Sequence, residues 1–400
     1  MVPAAQILQA MKGMKTLRSG RNRRKWIYVL LLMGLLGLSG CGSPSSASVE
    51  MSSQTELVKT GSMELQYAEN FAVDYYEDGY KMLTTLPDSK RYLLVPEGQP
   101  VPKGLDEDVS ILQEPLQNIY LVASGVMDMF ASVDAVDQIR FSGQKQENWY
   151  IQTAKDAMAA GDMIYAGKYS KPDYELLVSE GCDLAIENRM ITHSPEVVEM
   201  LQSFDIPVMI EYSSYEQHPL GKVEWVKFFG ALTGKEAEAE EAFAEQTEIL
   251  EKVESGEKTG KTIAFFYVTS NGLIQVRQST DYIPKLIELA GGRYIFEDLE
   301  DSGSGRSTLN MQVEDFYAGA RDADILIYNS SIDGGVTTLD ELIGKCNILK
   351  DFKALQEGQV YCTTNDMYQQ SMAIGYLLQD MHTVLTDDDT AKLRYLFLLQ

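Results

Sequence analysis

The spacing of apolar residues changes along the chain, and each change predicts a different kind of element. Between Met63 and Pro96, short apolar runs are broken by polar turn residues, which is typical of antiparallel hairpins. From Ile119 onwards, apolar strand-like runs alternate with segments long enough for a helix, and this rhythm predicts a parallel sheet covered on both faces. The predicted hairpin runs are Met63–Ala68, Phe71–Tyr76, Gly79–Leu83 and Tyr92–Val95, the parallel strands are Ile119–Ala123, Gln138–Phe141, Met163–Tyr165, Asp183–Ile186 and Ile206–Ile210, and the helices are Trp149–Ala160, Tyr174–Glu180 and Pro195–Phe204.

Two consecutive helices and a linker are predicted next. Apolar residues spaced by three follow Pro219 as a single helical stripe, and Thr233-Gly234 is a helix-stop signal. Lys235–Glu254 keeps helical spacing with Glu and Lys on its other face, and Ser255–Gly260 has the composition of a solvated linker. The second helix would be about 30 Å long, so it can cross from one lobe to another.

After the linker the alternation of strands and helices resumes, which predicts a second α/β lobe. The tail Leu393–Gln400 is apolar and predicts a terminal helix. We therefore predict two Rossmann-like lobes with parallel sheets, residues 63–234 and 261–400, joined by a single long rigid helix within residues 235–260, with N-terminal β-hairpins. The strands predicted here are Thr262–Val268, Ile325–Tyr328 and Val360–Cys362, and the helices are Asp281–Ala290, Thr338–Leu342, Lys353–Gln356 and Met372–Leu385.

The first forty residues have the pattern of a targeting signal. Basic residues precede the apolar run Trp26–Leu38, which is short for a membrane span of about 20 residues. Leu38-Ser39-Gly40-Cys41 resembles the bacterial lipobox, in which the cysteine becomes the lipidated first residue. We expect residues 1–40 to be a lipoprotein signal peptide, Cys41 to be lipidated and residues 41–62 to be a flexible tether. The alternative is a leader cut elsewhere, and the start codon (Met1, Met11 or Met14) stays open.

Charge narrows the possible partners. The formal net charge is −25, and removing the seven basic residues of positions 1–40 makes it −32. Nucleic-acid binding needs a basic face, so it is excluded as a leading function. Among the cysteines beyond Cys41, Cys182 is expected to be a buried small apolar residue, whereas a Cys346–Cys362 disulfide stays undecided.

Signals for catalysis are sparse. The sequence has no Gly-x-Ser-x-Gly elbow, no Walker loop and no Cys-x-x-Cys motif. The chain has three histidines, and a multi-histidine metal site would need all of them: His193, His218 and His382. We therefore predict neither a resident metal nor a cofactor.

Polar and aromatic residues instead accumulate just after the predicted strands. Ligands of open parallel sheets bind at the carboxyl ends of strands, so we predict a binding site there, although each residue alone also fits loop surface or local packing. The candidates are Ser124, Tyr165, Lys168, Tyr169, Asn188, Met190, Tyr212, Tyr215 and His218 in the first lobe, and Asn271, Arg277, Tyr328, Asn329 and Tyr368 in the second.

Several segments, spread over roughly Ile119 to Leu385, resemble the class III solute-binding proteins of ABC importers. They are Gly167–Glu175 leading to Gly181–Asn188, His218–Trp225 running into Leu232-Thr233-Gly234, Ala290–Phe296, and Leu355–Tyr361. The resemblance implies capture, without chemistry, of a ferric siderophore, haem or a corrinoid such as cobalamin between two lobes. It also implies a monomer, lipid-anchored on the extracytoplasmic face of the cell membrane, that delivers its ligand to the transmembrane subunits of a permease. By the same resemblance, Glu175 and Glu314 would dock on the permease.

The ligand itself stays open. A strongly anionic chelate usually needs several arginines, and the candidates are chiefly Arg140, Arg189 and Arg277, so a neutral or weakly charged chelate, or a flat ring stacked on tyrosine, fits as well. One alternative is a chelatase-like enzyme acting on a metal tetrapyrrole, which would need a histidine and an acid together, with only His193 or His218 available. The other is a surface lipoprotein without a transport role, which would leave the aromatic residues after the strands unexplained.

Overall fold

The computed structural model describes residues 57–299, 307–332, 335–388 and 392–400. The predicted signal peptide, Cys41 and most of the predicted tether lie outside these ranges. Among the helices in the described part of the chain, none has a stretch long and apolar enough to cross a membrane.

An N-terminal sheet confirms the predicted hairpins in part. Its strands follow chain order, antiparallel from β1 to β4, with β5 added in parallel to β4. Lys59–Ser62, predicted as tether, is an edge strand, and the predicted run Met63–Ala68 is not a strand, because its backbone amides bind a buried carboxylate described below. The strands are β1 Lys59–Ser62, β2 Phe71–Tyr76, β3 Lys81–Thr85, β4 Lys90–Val95 and β5 Val109–Gln113.

The first parallel sheet is confirmed, with its strands in the order β12-β11-β6-β7-β8 and every pair parallel. Its strands are β6 Ile119–Leu121, β7 Ile139–Ser142, β8 Ile164–Tyr165, β11 Leu184–Asn188 and β12 Val208–Glu211, and a small hairpin joins β9 Gly167–Lys168 to β10 Lys171–Pro172. The helices are α1 Val126–Ser132, which the sequence did not predict, α2 Gln152–Ala160, α3 Tyr174–Glu180 and α4 Pro195–Ser203. Apolar side chains of β11 alternate between two cores, with Leu184 and Ile186 on one face and Ala185 on the other.

Two helices, α5 Pro219–Thr233 and α6 Glu236–Glu254, connect this sheet to the next. Gly234, with φ +72°, ends α5 in the left-handed conformation that glycine tolerates best. The prediction that α5 has a single apolar stripe is wrong, because every residue from Pro219 to Leu232 is buried. The predicted helix Lys235–Glu254 agrees with α6 to within one residue, and α5 packs along it.

The second sheet is mixed. β13, β17 and β18 are parallel as predicted, while β14, β16 and β19 pair antiparallel. β15 pairs in parallel with the first two residues of β13, on the edge opposite β17. The predicted terminal helix is wrong, since Leu396–Leu398 is an edge strand against β18. The strands are β13 Thr262–Val268, β14 Ile274–Arg277, β15 Arg293–Tyr294, β16 Thr308–Met311, β17 Ile325–Tyr328, β18 Val360–Thr363 and β19 Leu396–Leu398, and the helices are α7 Tyr282–Leu289, α8 Val313–Ala320, α9 Leu339–Lys345, α10 Lys353–Gln356 and α11 Ile374–Thr386.

The described cysteines are inert thiols. Cys346 and Cys362 are buried and are not joined in a disulfide, and Cys182 is partly buried. Burial raises the pKa of the Cys182 thiol to about 12, so it stays protonated at neutral pH.

Candidate functional site

The first candidate edge is the carboxyl end of the first parallel sheet. All of its strands run the same way, so the segments after β6, β7, β8, β11 and β12 meet along one edge. Ser124, Tyr165, Asn188 and Met190, which were predicted from the sequence, lie there, as do Tyr212 and Tyr215.

Large apolar side chains are exposed along this edge. Tyr165 is 40% exposed, Met190 50% and Tyr215 38%, and Tyr150, which follows β7, is 47% exposed. We call these four residues the apolar rim. Exposed apolar groups at the carboxyl ends of strands are suited to a ligand with apolar or aromatic surface.

Tyr150 was missed because the predicted helix Trp149–Ala160 included it. In the structure α2 begins at Gln152, which leaves Tyr150 in the preceding loop. Its neighbour Trp149 is buried and donates its indole N–H to Ser142 Oγ over 3.0 Å. The loop is therefore anchored beside an exposed ring.

An arginine supports one end of the rim. The Arg189 guanidinium lies over the Tyr215 ring, 4.5 Å from its centroid, and Tyr212 meets Tyr215 edge-on. Tyr212 is mostly buried, and this burial, followed by the Asp88 carboxylate, raises its pKa. Tyr212 therefore stays a neutral phenol, and it supports Tyr215 without being exposed itself.

The second candidate edge lies after the parallel strands β17 and β18 of the second sheet. It brings together three residues predicted from the sequence. The Asn329 side-chain N–H donates to the Tyr368 hydroxyl over 2.6 Å, and Arg277 donates to the same oxygen. Arg277 also pairs with Asp281 at 3.3 Å, and both are buried. Burial raises the pKa of Asp281, an effect that Arg277 opposes. Tyr328, by contrast, is fully buried against Phe266 and belongs to the core.

The remaining predicted ligand residues have local partners. Asn188 Oδ1 accepts the Met190 N–H, and Asn271 lies in the turn between β13 and β14, where it accepts the Thr269 hydroxyl. Lys168 and Tyr169 belong to the β9–β10 hairpin, with Lys168 exposed and Tyr169 packed on the second core of the first sheet. These residues do not join either cluster of side chains.

His218 lies at a different place. Its Nδ1 accepts the Leu220 N–H at the start of α5, and its ring stacks on Tyr67 at 4.4 Å. Burial, and secondly Lys285, lowers its pKa. It lines a cavity of about 300 Å³ together with Tyr67, Glu69, Gln217, Ser279, Thr280 and Lys285. A larger cavity of about 920 Å³ lies along α11 and residues 392–394, and it contains no predicted ligand residue.

Arg140 is one of the arginines that could pair with an anionic ligand. Arg140 donates to the carbonyls of Gly161 and Asp162, each at 2.8 Å, so its charge is already engaged in a turn. Among the described residues there is no cluster of three or more His, Cys, Asp or Glu side chains that could hold a metal ion. Glu175 and Glu314 are exposed in the first turns of α3 and α8.

The comparisons with known proteins agree with this architecture. No protein-family model matches the sequence. Two uncharacterised lipoproteins of Methanocaldococcus jannaschii are similar, one 24% identical over 396 residues (90% of this chain and 92% of the relative) and the other 23% identical over 367 residues (86% and 90%).

Several solved bacterial structures are similar to this chain. A possible iron-binding periplasmic solute-binding protein of Staphylococcus epidermidis has a TM-score of 0.53 and 17% identity, and covers 67% of this chain and 98% of its own. A periplasmic haem-binding protein of Pseudomonas aeruginosa has a TM-score of 0.54 and 13% identity, covering 71% and 98%. A protein of an ABC-type Fe³⁺-hydroxamate transport system of Saccharomonospora viridis has a TM-score of 0.52 and 16% identity, covering 68% and 93%. The chain therefore has the fold of periplasmic solute-binding proteins.

Proposed function

We propose that this chain is the solute-binding lipoprotein of an ABC importer, and that it captures a metal chelate or corrinoid between its two candidate edges. The observation that carries the proposal is the apolar rim, where four large side chains are exposed after four different strands of one sheet. In the protein core such side chains are buried, so their exposure on one edge calls for a ligand. The names of the similar structures, which include a possible iron-binding protein, a haem-binding protein and a protein of an Fe³⁺-hydroxamate transport system, support the same class of ligand.

The charges around the edges favour a weakly charged ligand. Arg277 is neutralised by Asp281, Arg140 is engaged by two carbonyls, and Arg189 stacks on Tyr215. A highly anionic chelate would need several uncommitted cations, since each desolvated anion must be paired. Aromatic stacking contributes about 0.5–1.5 kcal/mol per ring, so Tyr150, Tyr165 and Tyr215 suit a chelate with flat or aromatic surface.

We assign docking on the permease, where the ligand is delivered, to two exposed carboxylates. Glu175 lies in the first turn of α3, which precedes strand β11 of the first parallel sheet, and Glu314 lies in the first turn of α8, which precedes strand β17 of the second sheet. A permease with two similar subunits could bind one carboxylate with each subunit. We assign them to permease docking and not to the ligand. We place the protein on the extracytoplasmic face of the membrane, anchored through Cys41, and the lipoprotein relatives support this.

Binding without turnover is favoured over a chelatase. His218 caps α5 and stacks on Tyr67, and His193 is exposed at the end of a short helical turn. Proton transfer at a buried metal tetrapyrrole would need a histidine with an acid beside it. A surface lipoprotein without a ligand would leave the apolar rim unexplained.

A ligand screen by thermal shift tests the proposal. Haem, a ferric trihydroxamate and cobalamin are compared at equal excess, because a ligand of the native state adds about 2.7 kcal/mol of stability at a hundredfold excess over Kd. At least one should raise the melting temperature of the wild type, and Tyr215→Ala should reduce that rise. Leu86→Ala is the matched control, since Leu86 is equally exposed but lies in the turn between β3 and β4. No shift with any of the three would contradict the proposed ligand class.

A further inference from the structure

The segment after β18 crosses from the second sheet to the first. Gln369 is its central contact and is buried. Its side-chain Oε1 accepts the backbone N–H of Tyr150 over 2.8 Å, and its Nε2 donates to the carbonyl of Asn148, also over 2.8 Å. A single carboxamide thus pairs with the loop that carries Tyr150 in the same way as a neighbouring strand would.

A second contact lies on the same segment. The Met372 N–H donates to Asp128 Oδ2, in the first turn of α1, over 2.7 Å. Beside it, a Cβ at Gly125 would come within 2.8 Å of Ser371 Oγ, so the close approach depends on glycine. The crossing segment, residues 369–372, is therefore held against the first sheet at Tyr150, Gly125 and Asp128.

These contacts lie between the two candidate edges. Tyr150 belongs to the apolar rim, and its amide is the group that Gln369 binds. The hydroxyl of Tyr368, the residue before Gln369, accepts hydrogen bonds from Asn329 and Arg277. One peptide unit therefore separates the contact to the first edge from the polar cluster of the second.

We propose that Gln369 and Asp128 are positioning residues that fix the separation of the apolar rim from the Arg277–Asn329–Tyr368 cluster. This role rests on the proposed function, in which both edges contact one solute. We assign both residues to positioning and not to contact with the solute, because Gln369 Oε1 accepts the amide of Tyr150 and Asp128 Oδ2 accepts the amide of Met372. A ligand that bridges two edges is bound more tightly when their separation is already set, since less ordering accompanies binding.

Amide hydrogen exchange in the unliganded full chain tests the contacts directly. In Gln369→Ala, exchange at Tyr150 should accelerate about tenfold, the equivalent of one lost hydrogen bond. Gln369→Glu can accept the amide but cannot donate to Asn148, so its exchange should be intermediate. Gln152→Ala is the matched control, because the side chain of that exposed glutamine bonds to Asp156 one turn away in the same helix. Asp128→Ala should accelerate exchange at Met372, whereas Asp128→Asn keeps an acceptor and should restore protection.

Affinity for haem and for a ferric trihydroxamate, measured on the same variants, tests the positioning role. For the probe that the wild type binds, Gln369→Ala should weaken affinity about tenfold through faster dissociation, with Asp128→Asn and Gln152→Ala near the wild type. Unchanged exchange at Tyr150 and Met372, or unchanged affinity despite faster exchange, would overturn the inference. If the wild type binds neither probe, cobalamin is titrated in the same way. Binding of none of the three compounds would contradict the proposed function, and the exchange data alone would then decide whether the two edges are held together.

Discussion

Glu187 and Glu211 lie on neighbouring parallel strands but point to opposite faces of the sheet. The ladder pairs Glu187 with Ile210 and Asn188 with Glu211, an offset of one residue. Glu211 accepts the N–H and the hydroxyl of Ser213, at 2.8 and 2.6 Å. In the described part of the chain, neither side-chain oxygen of Glu187 has a hydrogen-bond partner, and burial raises its pKa from 4.5 to about 8.

We expect Glu187→Leu to stabilise the protein. The folded pKa lies above the unfolded one, so the favourable contribution of Glu187 is present below pH 4.5 and is lost as the pH rises through about 8. Leucine has no charged form, so the free energy of unfolding of the variant should exceed that of the wild type by about 3 kcal/mol at pH 7. The difference should grow towards pH 9 and disappear near pH 4. Urea unfolding at these pH values measures it.

Glu211→Leu is the matched control and should have the opposite effect. It leaves the buried N–H and hydroxyl of Ser213 without their acceptor, which costs about 1–3 kcal/mol. If Glu187→Leu is less stable than the wild type at pH 9, the unpaired state of Glu187 is refuted.

Glu224 of α5 binds the backbone of residues 66–68, the segment before β2. Its two oxygens accept the N–H groups of Gln66, Tyr67 and Ala68, at 2.8 to 2.9 Å, and Lys227 lies 3.6 Å away. Glu224→Gln replaces one acceptor oxygen with a donor, so amide exchange at residues 66–68 should accelerate and stability should fall by about 3 kcal/mol. Glu240→Gln changes the exposed partner of Lys227 and should lower stability by less than about 1 kcal/mol. Equal losses in the two variants would contradict the assignment.

The sequence predicted most strands and helices of the two sheets but not the burial of α5. Lys222, Glu224 and Lys227 are charged residues on a helix that is buried on every side, and a periodicity argument places such residues in solvent. The partners of Glu224, residues 66–68, are more than 150 positions away in the chain. Local spacing holds no information about contacts of that range.

The candidate site was predicted unevenly for the same reason. Tyr165, Met190 and Tyr215 follow strands, so the rule for the ends of parallel strands found them. Tyr150 was missed because a helix start was placed three residues early, and Gln369 because its partner Tyr150 is 219 positions away. Tyr328 was included because the residue at a strand end can face the core as easily as the edge.

Asp128 should make stability depend on pH. Burial raises its pKa from 3.8 to about 6, the Met372 N–H and Lys222 oppose this, and Asp366 adds to it. Its favourable contribution is therefore lost as the pH rises through about 6. Asp128→Asn should raise the stability by up to about 3 kcal/mol at pH 8 and by nothing near pH 4, measured by thermal melts across that range. A variant less stable than the wild type at pH 8 would contradict the assigned titration.

The docking assignment predicts a separation of transport from binding. Ion pairs desolvated in an interface can cost about 2–5 kcal/mol when one partner is removed, so Glu175→Arg or Glu314→Arg should strongly impair uptake. Affinity of the purified protein should not change, because neither residue lies in the described clusters at the two edges. Glu199→Arg, at an exposed position of α4, controls for added positive charge. Normal uptake by the double variant, or weakened ligand binding by either one, would refute the assignment.

Stoichiometric capture of a metal chelate or corrinoid at the two edges can be measured by calorimetric titration of the purified protein with haem, a ferric trihydroxamate and cobalamin, followed by recovery of the bound compound. We expect one of the three to bind with one site per chain, to be recovered chemically unchanged, and to bind more weakly to Tyr215→Ala than to Leu86→Ala. Binding of none of the three, or recovery of a compound whose metal has been inserted or removed, would refute capture without chemistry.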